Sequence, residues 1–183
     1  MLISIKMKKE YGLSVAVPGG VVCEFADNKL ICKKNETILE KKISISGTEI
    51  KIDGKEIKFV CKKANRKNIA MIRTNAAHIR NMFVGLDKIF KYELQVCNVH
   101  FPITVKVEKG ELLISNFLGE KVNRKAQILP GVEVEIKGQK MTVSSRDIEK
   151  AGQTAANIEK ASKILNRDKR VFQDGIYITS KPG

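Results

Sequence analysis

The sequence predicts an α+β protein of two tandem repeats, each an antiparallel sheet of hairpins with one helix packed on it. Two observations predict it. Apolar or small residues recur at Ile69, Ile72, Ala76, Ile79, Phe83 and Leu86, and again at Ile148, Ala151, Ala155, Ile158, Ser162 and Leu165. Both runs step by 3, 4, 3, 4 and 3, one stripe on an α-helix, and a constant offset of 79 relates them. Each stripe is preceded by two segments of alternating apolar and polar residues, each broken by a turn, which is the pattern of β-hairpins. One sheet face and one helix stripe need a surface to bury against, and each supplies the other.

The elements follow in order. Residues 21–32 (VVCEFADNKLIC) alternate around Asp27-Asn28 and predict a first hairpin. Residues 50–61 (IKIDGKEIKFVC) predict a second, turning at Asp53-Gly54. The first helix follows, and Asp87-Lys88 leads into a strand, YELQV at 92–96, assigned to the end of the first half. The boundary is expected near Asn98–Phe101, before Pro102, giving domains 1–97 and 98–183. The second half repeats the order. Hairpins are expected at 103–114, turning at Lys109-Gly110, and at 132–143, turning at Lys137-Gly138. The second helix follows, then Asp168-Lys169 and a last strand at 176–178.

Composition removes several classes. With 43% hydrophobic residues, 13 Gly and 4 Pro, the 183-residue chain is neither disordered nor collagen-like. No run approaches the ~18 apolar residues that a membrane span needs. The opening MLISIKMKKEYG has too short an apolar part for a signal peptide and its Lys residues on the wrong side, so a cytosolic or nuclear location is expected. Cys23, Cys32, Cys61 and Cys97 form no CxxC pair and read as small buried hydrophobes. Cys97 and His100, three apart on a strand, would face opposite ways and cannot share a metal. No metal or cofactor is expected.

Nothing points to catalysis. P-loop, GxGxxG, HExxH and GxSxG patterns are all missing. His78 lies off the first helix's apolar stripe, as a solvated or nucleic-acid-facing residue would. Charge says more. The 34 Lys+Arg against 20 Asp+Glu give +14, divided +9 and +5 between residues 1–90 and 91–183. Such a chain attracts polyanions, nucleic acid first and an anionic membrane surface second. Three clusters concentrate the charge. Residues 58–67 include Lys62, Lys63, Arg66 and Lys67, in what reads as the loop before the first helix. Residues 121–125 hold Lys121, Arg124 and Lys125, between the hairpins of the second half. Residues 160–170 include Lys163, Arg167, Lys169 and Arg170. Only seven Phe and three Tyr are available to fill two cores, which favours recognition of shape and phosphate over base stacking.

The C-terminal segment carries a recognisable signature: Ile164, Arg167, Arg170, Phe172, Asp174-Gly175-Ile176-Tyr177-Ile178 and Lys181. With Asn65-Arg66-Lys67, Arg73-Thr74, His78, Asn81-Met82, Tyr92, His100-Phe101-Pro102-Ile103, residues 116–121 (NFLGEK) and Pro130-Gly131-Val132, it resembles the L-six family of large-subunit ribosomal proteins in its archaeal and eukaryotic form. Lys160 stands where the family signature opens with Gln. The resemblance implies two duplicated α+β domains and a structural, non-enzymatic role. It implies binding to large-subunit rRNA near the sarcin–ricin loop and stalk base. Its implied partners are rRNA, neighbouring ribosomal proteins and translation factors docking nearby, with no membrane and no homo-oligomer. A free-standing RNA-binding or ribosome-assembly module of the same fold is the alternative.

Roles follow by position from the same resemblance. Arg167, Lys169 and Arg170, with Lys163 in the same cluster, bring positive charge to rRNA beside the last strand. Lys121, Arg124 and Lys125 contact phosphate, and Lys62, Lys63, Arg66 and Lys67 are secondary candidates. Phe172 and Tyr177 pack the second core. Asp174-Gly175 turns the chain into the last strand, serving either backbone geometry or an RNA contact. The second domain is expected to be the main rRNA-binding domain.

Overall fold

Two-residue turns at positive φ organise the strands. Asp27 and Asn28 stand at φ 50° and 59°, and Lys109 and Gly110 at φ 49° and 80°. Positive φ at both central residues is what a type I′ turn requires, and its twist matches that of the strands it joins. The structure, a computed structural model, describes residues 9–35, 37–168 and 170–182. The chain divides into two units, residues up to Asp87 and residues from Lys88.

The first unit comprises β1 (Lys9–Ala16), β2 (Val22–Ala26), β3 (Lys29–Lys34), β4 (Thr37–Lys42), β5 (Glu49–Ile52), β6 (Glu56–Ala64) and helix α1 (Arg66–Asp87). Two antiparallel sheets form, ordered β1-β6-β5 and β2-β3-β4. The α1 stripe buries Ile72, Ala76, Ile79, Phe83 and Leu86 in one cluster with Leu30 and Cys32 from one sheet and Ile57, Phe59 and Cys61 from the other. Each large apolar side chain so buried contributes about 1.5–3 kcal/mol. Asn65 starts the helix by accepting the Asn68 N–H at 2.8 Å.

The second unit comprises β7 (Phe90–Cys97), β8 (Thr104–Glu108), β9 (Glu111–Ser115), a 3₁₀ turn (Phe117–Gly119), β10 (Arg124–Gln127), β11 (Glu133–Lys137), β12 (Lys140–Ser145), α2 (Ile148–Ala161) and β13 (Gly175–Ser180). Its sheets are β10-β9-β8 and β11-β12-β7-β13. Ala155 and Ile158 of α2 join Leu94, Leu112, Ile114, Met141, Val143 and Ile176 in the core. Asp147 caps α2, accepting the Glu149 N–H at 2.9 Å. The duplicated α+β architecture is therefore present, refined by the finding that each unit holds two sheets rather than one. Among the described residues, no helix is long and apolar enough to cross a membrane.

The repeat begins one strand earlier than the sequence suggested. The strand expected to close the first half, 92–96, is β7, and it lies in the second unit's sheet, paired with β12 and β13. The chain thus divides at Asp87–Lys88 rather than at 97–98. Tyr92 shows the reason. Gly152 of α2 sits so close to β7 that an added Cβ would lie 2.8 Å from the Tyr92 hydroxyl. The counterpart of β7 is β1: β1 pairs with β6 as β7 pairs with β12. Strand β13, on the other side of β7, has no equivalent among the described residues of the first unit. The second stripe also ends early. Helix α2 stops at Ala161, and Leu165 is 67% exposed. Ser162 leaves helical geometry, and its hydroxyl accepts the Ile176 N–H at 2.9 Å.

Asp174 is a latch rather than a turn residue. Its carboxylate is fully buried. One oxygen accepts the Val99 and His100 N–H groups at 2.8 and 3.0 Å, and the other lies 2.6 Å from His100 Nδ1. The latch ties the segment after β7 to the start of β13. The chain reversal lies upstream, where the Val171 and Phe172 N–H groups donate to the Asp168 carbonyl. Burial pushes the Asp174 carboxyl upward, but the His100 amide and ring and the Val99 amide outweigh it and hold it at about 2, against an ordinary 3.8. Tyr177 is 42% exposed and not a core residue; its ring covers Gly175.

Two outcomes follow. Ile79→Asp and Ile158→Asp bury an unpaired charge and should each cost several kcal/mol, whereas Leu165→Asp should leave thermal melting unchanged. Equal melting of all three would refute the stripe boundaries. The second concerns acid. The depressed pKa of Asp174 stabilises the fold above pH 3.8, and that contribution is lost as pH falls toward about 2. Acid titration by circular dichroism should show Asp174→Asn less stable at pH 6, with the gap to the parent closing across that window. A gap that stays constant to pH 2 would contradict the latch.

Candidate nucleic-acid interface

The interface is built around Arg124, at the first position of β10. Strand β10 pairs with β9, Arg124 opposite Ile114, so backbone hydrogen bonding fixes where the side chain starts. The guanidinium then makes four bonds. Nε and one Nη donate to the two carboxylate oxygens of Glu120 at 2.8 and 2.6 Å. The other Nη donates to the carbonyls of Ala161 and Lys163 at 3.1 and 3.0 Å. The group also lies over the buried Phe117 ring, 4.0 Å from its centroid. Phe117 reaches that place through a tight turn in which Asn116, Leu118 and Gly119 all have positive φ.

The chemistry of these bonds suits arginine. The planar fork takes a carboxylate bidentately, and the remaining donors satisfy carbonyls left open at the end of α2. The guanidinium holds the Glu120 carboxyl below the usual carboxylate range; burial opposes this and Arg167 assists. Arg124 was expected to contact phosphate. Four of its five N–H donors bond within the protein, and it joins two segments that each carry exposed cations.

A second stack orders Arg167. Its guanidinium lies over the Phe172 ring at 4.7 Å, and that ring stacks on His100 at 4.9 Å, which Asp174 holds in turn. Phe172 packs against the second core, as expected. A cleft of about 240 Å³ between Arg124 and Arg167 is lined also by Leu118, Glu120, Ile164 and Leu165. On the two segments that Arg124 joins, Lys121, Lys125, Lys163 and Arg170 are exposed. Lys125 has Glu111 at 3.4 Å, and the 91%-exposed Arg170 has Asp168 at 3.1 Å. Ion pairs this exposed cost little to exchange for a phosphate. Lys169 lies outside the described residues. The structure thus brings together the clusters at 121–125 and 163–170, which are distant in sequence.

The cluster of the first unit is arranged differently. Lys62 and Lys63 lie on β6, not in a loop, and Arg66 and Lys67 open α1. Lys62 has Glu49 at 3.4 Å. No acidic residue occupies the first turn of α1, where the helix dipole would favour one. His78 is a half-buried residue of α1.

Sequence reasoning passed over Glu120, Phe117 and His100 as parts of the site. The partners of Arg124 on the other segment are 37 and 39 residues away, and no local spacing signals them. Among the described residues, no group of three or more His, Cys, Asp or Glu could hold a metal ion.

Residues 101–175 match the family model for ribosomal protein L6, and this segment contains both basic clusters of the second unit and Asp174 itself, though not its partners Val99 and His100. Large ribosomal subunit protein uL6 of Archaeoglobus fulgidus is 52% identical over 117 residues, covering 64% of this chain and 60% of the relative. That of Ignicoccus hospitalis is 50% identical over 118 residues, covering 64% and 63%. That of Haloarcula marismortui is 49% identical over 118 residues, covering 64% and 66%. The match spans about three-fifths of the length of these relatives. Through this segment, the chain is similar to the ribosomal protein L6 family and to archaeal large ribosomal subunit proteins uL6.

Proposed function

We propose that the chain is a structural constituent of the large ribosomal subunit, bound to rRNA mainly through its second unit. The observation that carries this reading is a coincidence of position. The segment matched to ribosomal protein L6 is also the one in which Arg124 draws two basic loops together. The relatives are named as large-subunit proteins. The role is structural rather than catalytic, since fixed cations around a shallow cleft suit a phosphate backbone. Partners are rRNA and neighbouring ribosomal proteins in the cytoplasmic ribosome. The binding place is near the sarcin–ricin loop and stalk base, where translation factors dock.

Within the second unit, Arg167 and Arg170 carry more of the binding than total charge suggests. Contacts that position a protein on RNA need charge held in place, and Arg167 is braced by Phe172 and His100. Arginine also takes phosphate bidentately. Lys121, Lys125, Lys163 and Lys169 add to this surface, while Lys62, Lys63, Arg66 and Lys67 make secondary contacts.

The test removes two charges at a time. Tagged chain should sediment with the large subunit and stay through a high-salt wash. Arg167→Ala with Arg170→Ala should weaken that retention more than Lys62→Ala with Lys63→Ala. If about six phosphates are neutralised, affinity of the isolated chain for large-subunit rRNA should fall roughly a thousandfold between about 50 and 200 mM salt. A chain that stays at the top of the gradient would overturn the ribosomal reading. A greater loss from the lysine pair would move the main contact to the first unit.

A further inference from the structure

The hairpin β2–β3 sets two thiols face to face. Its turn holds two residues, Asp27 and Asn28, so Ala26 and Lys29 close it as a directly opposed pair. Successive opposed pairs alternate between hydrogen-bonded and non-hydrogen-bonded. Counting from the closing pair through Phe25–Leu30 and Glu24–Ile31 makes Cys23–Cys32 a non-hydrogen-bonded pair. At such pairs the Cα atoms lie about 4.5 Å apart and side chains approach closest. A disulfide accepts Cα separations of roughly 4.4–6.8 Å. The two sulfurs are 3.0 Å apart.

We propose that Cys23 and Cys32 form a reactive dithiol site that takes a low-molecular-weight disulfide of the glutathione class and closes to an intramolecular disulfide. The two thiols are unequal in access. Cys32 is fully buried in the first core, while Cys23 is half-buried and borders an open cleft with Glu24, Phe25, Ile50, Ile52 and Gly54. Cys23 is therefore the attacking sulfur and Cys32 the resolving one. Their mutual hydrogen bond supports these roles, since it holds the Cys23 thiol below its ordinary pKa against the effect of burial. Cys61 is buried, and Cys97 belongs to the other unit.

The steps balance. The Cys23 thiolate attacks one sulfur of the small disulfide; the S–S bond breaks and one small thiolate leaves, taking a proton from water. Cys32 then loses its proton and attacks the Cys23 sulfur of the mixed disulfide, expelling the second small thiol. Two protein thiols are oxidised to one disulfide, and one small disulfide is reduced to two thiols. The product staples β2 to β3 within the core of the first unit.

The full chain is incubated with oxidised glutathione, and remaining thiols are alkylated before non-reducing peptide mass mapping. The expected product has lost two hydrogen atoms, links the Cys23 and Cys32 peptides, and leaves Cys61 and Cys97 alkylated. Cys32→Ala should instead accumulate glutathione on Cys23, because the resolving thiol is gone. A parent chain that keeps both thiols alkylatable, keeps glutathione on Cys23, or links through Cys97 would overturn the proposal. The parent measurement stands even if the variant fails to fold.

Discussion

A single guanidinium sets the shape of the basic surface. Arg124 bonds to Glu120 on its own loop and to the carbonyls of Ala161 and Lys163 at the end of α2, with Phe117 beneath it. Without that contact, 121–125 and 163–170 would be two separate charged loops. With it, Arg124 and Arg167 line one cleft, and the segments that carry Lys121, Lys125, Lys163 and Arg170 are joined. The arrangement divides the labour between cations. One arginine is consumed inside the protein so that others are held outside it. Counting charges treats Arg124 and Lys121 alike, whereas their surroundings give them opposite roles.

The same logic runs through the Asp174 latch. A carboxylate buried without partners would be protonated or would unfold its surroundings. Here two amides and an imidazole satisfy it, and the segment after β7 is fixed to β13 in return. The ring it holds, His100, stacks on Phe172, and Phe172 carries Arg167. An interior constraint is thereby passed outward through two rings to a surface cation. The latch and the Arg124 clamp grip opposite ends of residues 162–174, which carry the first part of the signature recognised in the sequence, Ile164 to Asp174.

Much of this was legible beforehand, for physical reasons that differ by element. The helices showed because a buried stripe repeats at 3.6 residues whatever it packs against. The hairpins showed because turns at positive φ favour Asn, Asp and Gly. The strand 92–96 also showed, but alternation reveals which face is buried and not which strand lies beside it, so β7 was placed in the wrong half. Its counterpart β1 went unread because Gly12 interrupts a short alternation. Leu165 continued the helical count arithmetically, although Ser162 had already turned the chain away to bond with Ile176. At the site, composition located both clusters and could not separate Arg124 from its neighbours, because its partners are distant in sequence. The Cys23–Cys32 pairing is implicit in the Asp27-Asn28 turn: residues four before and four after a two-residue turn face each other.

If geometry rather than charge total governs binding, a substitution that keeps the charge and removes the fork decides the matter. Arg124→Lys retains one positive charge but loses the bidentate grip on Glu120 and the bonds to Ala161 and Lys163. Equilibrium binding of the folded variant to large-subunit rRNA is measured at fixed salt, beside Lys121→Arg as a control that also conserves charge. The account predicts that Arg124→Lys weakens binding about tenfold or more, equivalent to about 1.4 kcal/mol, while the control stays near the parent. Affinity unchanged in a folded Arg124→Lys variant would contradict it, and bulk charge would then suffice.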